Sequence, residues 1–251
     1  MIDSNHRREV LIAVLSLLVL WQAAAWLIQR PILPSPILVL SAFFKDLNSG
    51  ELVGHFLRSL WRVIAGTGLA VLTAAPAGLV LGQSPRVYRF FSPFIYLLYP
   101  IPKVVFVPVV FLFFGIGDPA KIFIIFLILF FQILVLVRDQ AAGIRPELIQ
   151  SVRSLGAGRR ALFRFVYLPA GLPAMLTALR QSVGTAVAVL YIAELFATTQ
   201  GLGYYIYFQG STLLNYPAMY AGVVAMSILG FGLYFALDRL ERWLCPWRFI
   251  Q

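Results

Sequence analysis

The chain has 251 residues, 61% of them hydrophobic and 12% charged, with a formal charge of +10. An average soluble domain is roughly 45–50% apolar and about 25% charged, so no water-solvated core could hide this much apolar surface; the bilayer must be the solvent for most of it. The basic residues sit in short segments between apolar runs, as in a multispanning protein setting its orientation, and form no aromatic-interleaved groove for nucleic acid.

One cysteine, Cys245, excludes an intrachain disulfide framework and most thiolate metal sites. His6 and His55 lie far apart and outside the long apolar runs, so neither reads as a metal ligand or a catalytic base. Nothing in the sequence asks for a cofactor.

Residues 10–28 form an almost unbroken apolar run, enough at about 1.5 Å per residue to cross a hydrocarbon core of about 30 Å. The run lacks a small-residue cleavage site and further spans follow, which predicts an anchor helix and not a removed signal peptide. Pro31, Pro34 and Pro36 stop it, and residues 37–47 suit a short amphipathic helix at the interface. Five more spans are expected at about 58–82, 91–114, 120–137, 171–196 and 218–240, giving an all-α membrane protein of about six transmembrane helices. The second carries Gly66, Gly68, Gly78 and Gly82 with Pro76, a small face suited to close helix packing. The third contains Pro93, Pro100, Pro102 and Pro108, which predicts a kinked, interior helix whose freed carbonyls are satisfied by neighbours. The chain divides into 1–57 (tail, anchor helix and interfacial segment) and 58–251 (a core of five spans), with a cytoplasmic insert at about 138–168.

Arginine placement sets the direction. With a cytoplasmic N-terminus, the inside segments hold Arg7, Arg8, Arg86, Arg89, Arg138, Arg145, Arg153, Arg159, Arg160, Arg164, Arg239, Arg242 and Arg248, whereas the outside loops hold Arg30, Lys45 and Lys121. The positive-inside rule then puts both termini in the cytoplasm.

The insert itself, RPELIQSVRSLGAGRRALFRFVYLPAGLP from Arg145 to Pro173, turns abruptly basic. Leu148, Val152 and Leu155 recur at spacings of four and three, one apolar stripe on a helix. Arginines surround it, suited to carboxylates of a partner or to lipid phosphates. Gly156 permits a positive φ or a close approach of a partner backbone. Charge alone leaves two readings, a docking surface or an ordinary loop on lipid headgroups.

Gly156, nine residues, Val166, one residue, then Leu168-Pro169 resembles the cytoplasmic EAA loop of ABC-importer permeases. Gln150, Ser151 and Val152 occupy the Glu-Ala-Ala positions, so a neutral amide stands where that pattern has a carboxylate. Further along, Leu33-Pro34-Ser35-Pro36, Tyr99-Pro100-Ile101-Pro102-Lys103, Phe114-Gly115-Ile116-Gly117 and Ala193-Glu194-Leu195 with Gly201-Leu202-Gly203-Tyr204 resemble the branch importing nitrate, taurine and aliphatic sulfonates. The resemblance covers nearly the whole chain. It implies a homodimeric permease in a bacterial-type cytoplasmic (inner) membrane, working with two cytoplasmic ABC ATPases and an extracytoplasmic solute-binding protein. It also implies that two short helices meet around Gly156, with Gln150, Ser151, Val152, Leu155, Gly156, Arg159 and Arg160 meeting the ATPase.

Two cations inside the spans are candidates for the translocation path, Lys103 among the prolines and Arg180 in the fifth span. A charge at such depth faces protein or water, so each either offers a counter-charge to an anion or pairs structurally. Glu194 is expected to cap a local turn or to meet a docking partner. Tyr204, Tyr205, Tyr207, Phe208, Tyr216 and Tyr220 read as an interfacial aromatic belt.

None of Lys45, Lys103 and Lys121 follows a glycine, so the GxxxxGK[ST] phosphate loop is absent and ATP hydrolysis belongs to a separate subunit. The alternative, a gradient-driven secondary transporter or channel, generally relies on membrane-embedded carboxylates, and here Glu194 is the one acid well inside an apolar segment. An intramembrane enzyme would need a nucleophile–base pair, and the spans contain no histidine to complete one.

Overall fold

In hydrocarbon a backbone must satisfy its own N–H and C=O groups, and helices do so within one segment. The computed structural model follows that rule: it describes residues 4–196 and 198–248, and the regular elements among them are helices. Residues 1–3 and 249–251, the tips of the expected cytoplasmic tails, lie outside the described residues, as do the side chains of His6, Arg7 and Arg159.

In chain order the helices are α1 (Ser4–Ile28), α2 (Pro36–Asn48), α3 (Glu51–Gln83), α4 (Pro85–Leu98), α5 (Val107–Phe114), α6 (Asp118–Ala142), α7 (Pro146–Ser154), α8 (Arg159–Leu162), α9 (Leu168–Leu195), α10 (Leu202–Tyr207) and α11 (Tyr216–Leu244). Five helical stretches are long and apolar enough to cross a bilayer; α4 with the segment ending at Phe114 makes a sixth candidate, bent by 78°. The all-α, six-span reading therefore stands, with one change. The third span is two short helices and not one kinked one. α4 ends just before Pro100 and Pro102, a 3₁₀ turn spans Lys103–Phe106, and α5 follows. Two prolines in three residues remove the donors a continuous helix needs there. Nor is α4 interior within this chain: none of its residues is buried, and Phe90, Phe94 and Leu97 are well exposed.

The described chain forms two units. The first comprises residues up to Arg58 together with Thr199–Ser227. Here Ser35 caps α2 with Pro36 at its first position, and the Trp21 indole donates to the Pro34 carbonyl at 3.1 Å. Tyr205, fully buried, donates its hydroxyl to Asp46 Oδ2 at 2.5 Å. Burial and that carboxylate raise the Tyr205 phenol far above its usual range, so it stays a donor. This corrects the aromatic belt in part, because Tyr205 is core and not surface. His55 also has structural work: its Nδ1 accepts the Gly201 N–H at 3.0 Å, at a glycine whose φ is +119°.

The second unit comprises Ser59–Thr198 and the chain from Ile228. α6 lies along α9, and Ile125, Leu129 and Ile133 of α6 and Leu176, Leu179 and Leu190 of α9 are buried. The small face expected of α3 meets α6. A Cβ added at Gly66 would lie 2.7 Å from Ile125 Cβ, and one at Gly82 would lie 2.6 Å from the Arg138 carbonyl. Those glycines set the closeness of the two helices; Gly68, on another side of α3, faces open space.

Candidate functional site

The insert is built around a small apolar cluster. Leu162, Val166 and Tyr167 are buried, and Ile144, Ile149 and Val152 pack against them. The stripe expected from sequence is thereby divided. Val152 turns inward as an anchor, while Leu148 is 48% and Leu155 85% exposed. Gln150, Ser151, Arg153 and Arg160 are exposed beside them. Gly156 has φ +80°, and its N–H closes the end of α7 onto the Arg153 carbonyl at 2.9 Å. A non-glycine residue there would carry the strain of the left-handed region. The second half of the insert is not a separate short helix. From Arg160 the chain is helical through to Leu195, with a π turn at Phe163–Tyr167, so α7 sits on the foot of the fifth span. The side chain of Arg159 lies outside the described residues, and only its place at the start of α8 is known.

Lys103 acts as a helix cap. Its Nζ donates to the carbonyls of Leu98 (2.7 Å) and Tyr99, at the end of α4, and lies 4.7 Å from the centre of the Phe131 ring. Pro102, four residues after Leu98, has no N–H to offer that carbonyl, and a cation at a helix C-terminus also meets the negative end of its dipole.

At the end of the bundle where α3 and α6 begin and α9 stops, a polar cluster is buried. Glu194 is 0% exposed; both of its oxygens accept from Ser59 Oγ at 2.8 Å, and Arg62 Nη1 donates to Oε1 at 2.7 Å. Arg62 also donates from Nε (2.9 Å) and Nη2 (2.7 Å) to Asp118 Oδ1. Lys121, likewise buried, donates to the Ile116 carbonyl at 2.9 Å. Glu194 is thus buried and held by Ser59 and Arg62, and does not stand open for a docking partner. Sequence reasoning overlooked its pairing with Arg62, 132 positions away. The available signal was two opposite charges, each in an apolar run near a span end, where an unpaired charge is costly.

A second polar cluster joins the first half of α9 to the last turns of α11. Arg180 Nη1 donates to Asp238 Oδ1 at 2.9 Å and is 3.3 Å from Glu241 Oε2. Arg248 Nη1 bonds Thr177 Oγ1 (2.8 Å) and Glu241 Oε1, and Arg242 Nε holds the other oxygen of Asp238 at 3.0 Å. Arg180 is therefore engaged and not a lone cation. Cys245, buried beside this cluster, has its thiol pushed up by burial and by the Glu241 carboxylate, which leaves it a poor nucleophile.

Five or six apolar spans, a basic helical knob seated on one of them, and ion pairs set between the helices define a membrane permease. Residues 66–248 match the family described as binding-protein-dependent transport system inner membrane component, and the chain belongs to that family. It is the permease subunit of an ABC importer. It is 32% identical over 250 residues to the taurine transport system permease protein TauC of Escherichia coli (strain K12), covering 96% of this chain and 90% of that one. It is 28% identical to the putative aliphatic sulfonates transport permease protein SsuC of Bacillus subtilis (strain 168), covering 92% and 84%. Among solved structures, the inward-facing MetNI methionine ABC transporter shares the fold with a TM-score of 0.65 at 23% identity, covering 77% of this chain and 95% of that one. A bacterial ABC transporter that imports alginate does so with a TM-score of 0.58 at 17% identity, covering 94% and 96%. The branch expected from the ordered motifs is the branch these relatives represent.

Proposed function

We propose that this permease works as a homodimer with a cytoplasmic ABC ATPase docked on each insert. A solute-binding protein on the opposite face delivers a small organic or inorganic anion of the sulfonate, taurine or nitrate class. Both termini then lie on the ATPase side. The single observation that carries this reading is the construction of α7. Ile149 and Val152 fasten it to the fifth span, leaving Leu148 and Leu155 exposed among Gln150, Ser151, Arg153 and Arg160. Exposed leucines within a basic rim suit a partner cleft with apolar floor and acidic edge. Gln150 offers that partner a neutral hydrogen bond in place of a carboxylate contact, and Arg159 joins the docking face through the sequence pattern.

Because α7 sits on the foot of α9, closure of the two ATPases on ATP moves the spans as a lever, opening the paired permeases to the binding protein; hydrolysis resets them. Lys103 and Arg180 contribute to the field along the path as fixed charges, since both have partners of their own. Lipid surrounds the rest.

Replacing Gly156 by valine tests the lever. The φ of +80° makes a β-branched residue strained there, by roughly 1–2 kcal/mol. Membrane insertion should be unchanged while solute-stimulated ATP turnover is lost. Normal coupling in Gly156→Val would sink the docking assignment, and repeated purification of the chain with no ATPase attached would sink the importer assembly.

A further inference from the structure

The second unit carries two clefts of similar size and opposite chemistry. One, of about 520 Å³, is lined almost wholly by aliphatic side chains of α3, α9 and α11, Leu72, Val183 and Leu237 among them, and suits lipid tails. The other, of about 460 Å³, opens between α6, α9 and the turn at Pro246–Arg248. Gln140, Thr177, Gln181, Trp247 and Arg248 line it.

The polar lining makes the second cleft informative. Gln181 is exposed on α9 one turn beyond Thr177, which Arg248 reaches from the turn after α11. An amide left to hydrocarbon would find nothing for its hydrogen-bonding groups. Gln140 is exposed as well, and neither amide has a hydrogen-bond partner among the described residues. The cleft is therefore wet or filled by something polar.

Its donors select the occupant. Arg248 is 44% exposed at its side chain; Nη1 is used by Thr177 and Glu241, while Nε and Nη2 have no partner among the described residues. The indole of Trp247 and the two amides add N–H donors, and no carboxylate lines the cleft. Behind it, Arg180, Arg242 and Arg248 meet the carboxylates of Asp238 and Glu241. Leu136, Pro169 and Pro173 give an apolar wall opposite.

We infer that this cleft binds a small oxyanion, a sulfonate, carboxylate or phosphate group on a short aliphatic stem, with Arg248, Gln140 and Gln181 as its contacts. As a stage on the solute's route it rests on the importer reading; as a binding site it does not.

The test uses full-length chain carrying Cys245→Ala and Gln181→Cys in phosphatidylcholine vesicles. The new thiol is labelled with 2-sulfonatoethyl methanethiosulfonate and, separately, with its trimethylammonioethyl counterpart, each rate divided by that of a free thiol. An oxyanion site should favour the sulfonate by about tenfold. The preference should vanish with Arg248→Gln and survive Arg248→Lys. Slowing by added sodium ethanesulfonate assigns the site to a free anion; slowing by phosphatidylglycerol in the vesicles assigns it to a lipid headgroup. No labelling by either reagent, or equal normalised rates with Arg248 intact, overturns the proposal. Should Arg248→Gln fail to fold, protection by ethanesulfonate but not by tetramethylammonium decides in its place. The labelling needs neither ATPase nor receptor, so loss of the importer reading would leave this result readable.

Discussion

The two polar clusters of the second unit use the same side-chain types to opposite ends. Around Glu194 two cations, Arg62 and Lys121, balance two carboxylates, and the Arg62–Glu194 pair is 3% and 0% exposed. Around Glu241 the pairs are partly open: the Arg180–Asp238 side chains are 25% and 22% exposed, and Arg248 is 44% exposed. Closing a buried ion pair costs desolvation that is repaid only when every hydrogen bond is made, as Ser59 and both faces of Arg62 do here. A cluster open on one side keeps water and leaves donors to spare. The first holds helices together; the second has capacity left for a ligand.

The sharpest way to break this contrast is to remove one partner from each cluster. Glu194→Ala leaves the buried Arg62 guanidinium with Asp118 alone and Nη1 without its carboxylate, and should cost about 3 kcal/mol, read as a large fall of the thermal transition in detergent. If Glu194→Ala melts with the wild-type chain, the closed cluster is not what binds α3 to α9. Next, Gly66→Leu puts a side chain where even a Cβ meets Ile125 and the Ile122 carbonyl at 2.7–2.9 Å, one turn from Arg62. It should destabilise by roughly 1–3 kcal/mol and weaken the Arg62–Asp118 contact. Gly68→Ala, facing open space, is the control and should melt no lower than wild type. Smallest is Asp238→Asn, which removes one partner of a solvent-reached pair and should shift stability by no more than about 1 kcal/mol. A loss as large as that of Glu194→Ala would show the two clusters to be alike.

Periodicity and composition, which act along the chain, were enough to place the spans, the six-helix class and the insert with its glycine turn. They also carried the family, because its motifs follow one another in order. Long-range pairing was not legible in the same way. The partners of Glu194 lie in α3, and those of Arg180 in α11, 58 and more positions on. Neither periodicity nor a motif encodes which charges meet at one depth. The insert shows the boundary within nine residues. An apolar stripe of Leu148, Val152 and Leu155 was readable, but whether it faced outward depended on Leu162, Val166 and Tyr167 arriving beneath it.

By itself, then, this sequence determined what is settled by local chemistry against a hydrocarbon solvent. That covers which stretches are apolar enough to span, where prolines break a helix, and where only glycine suits a turn. Tertiary structure decided whether the third span is one helix or two, which half of the insert stripe is anchor and which is surface, and which charges are spent on each other. Those outcomes depend on distances between helices, and a buried or half-buried charge takes its role from the neighbour that reaches it.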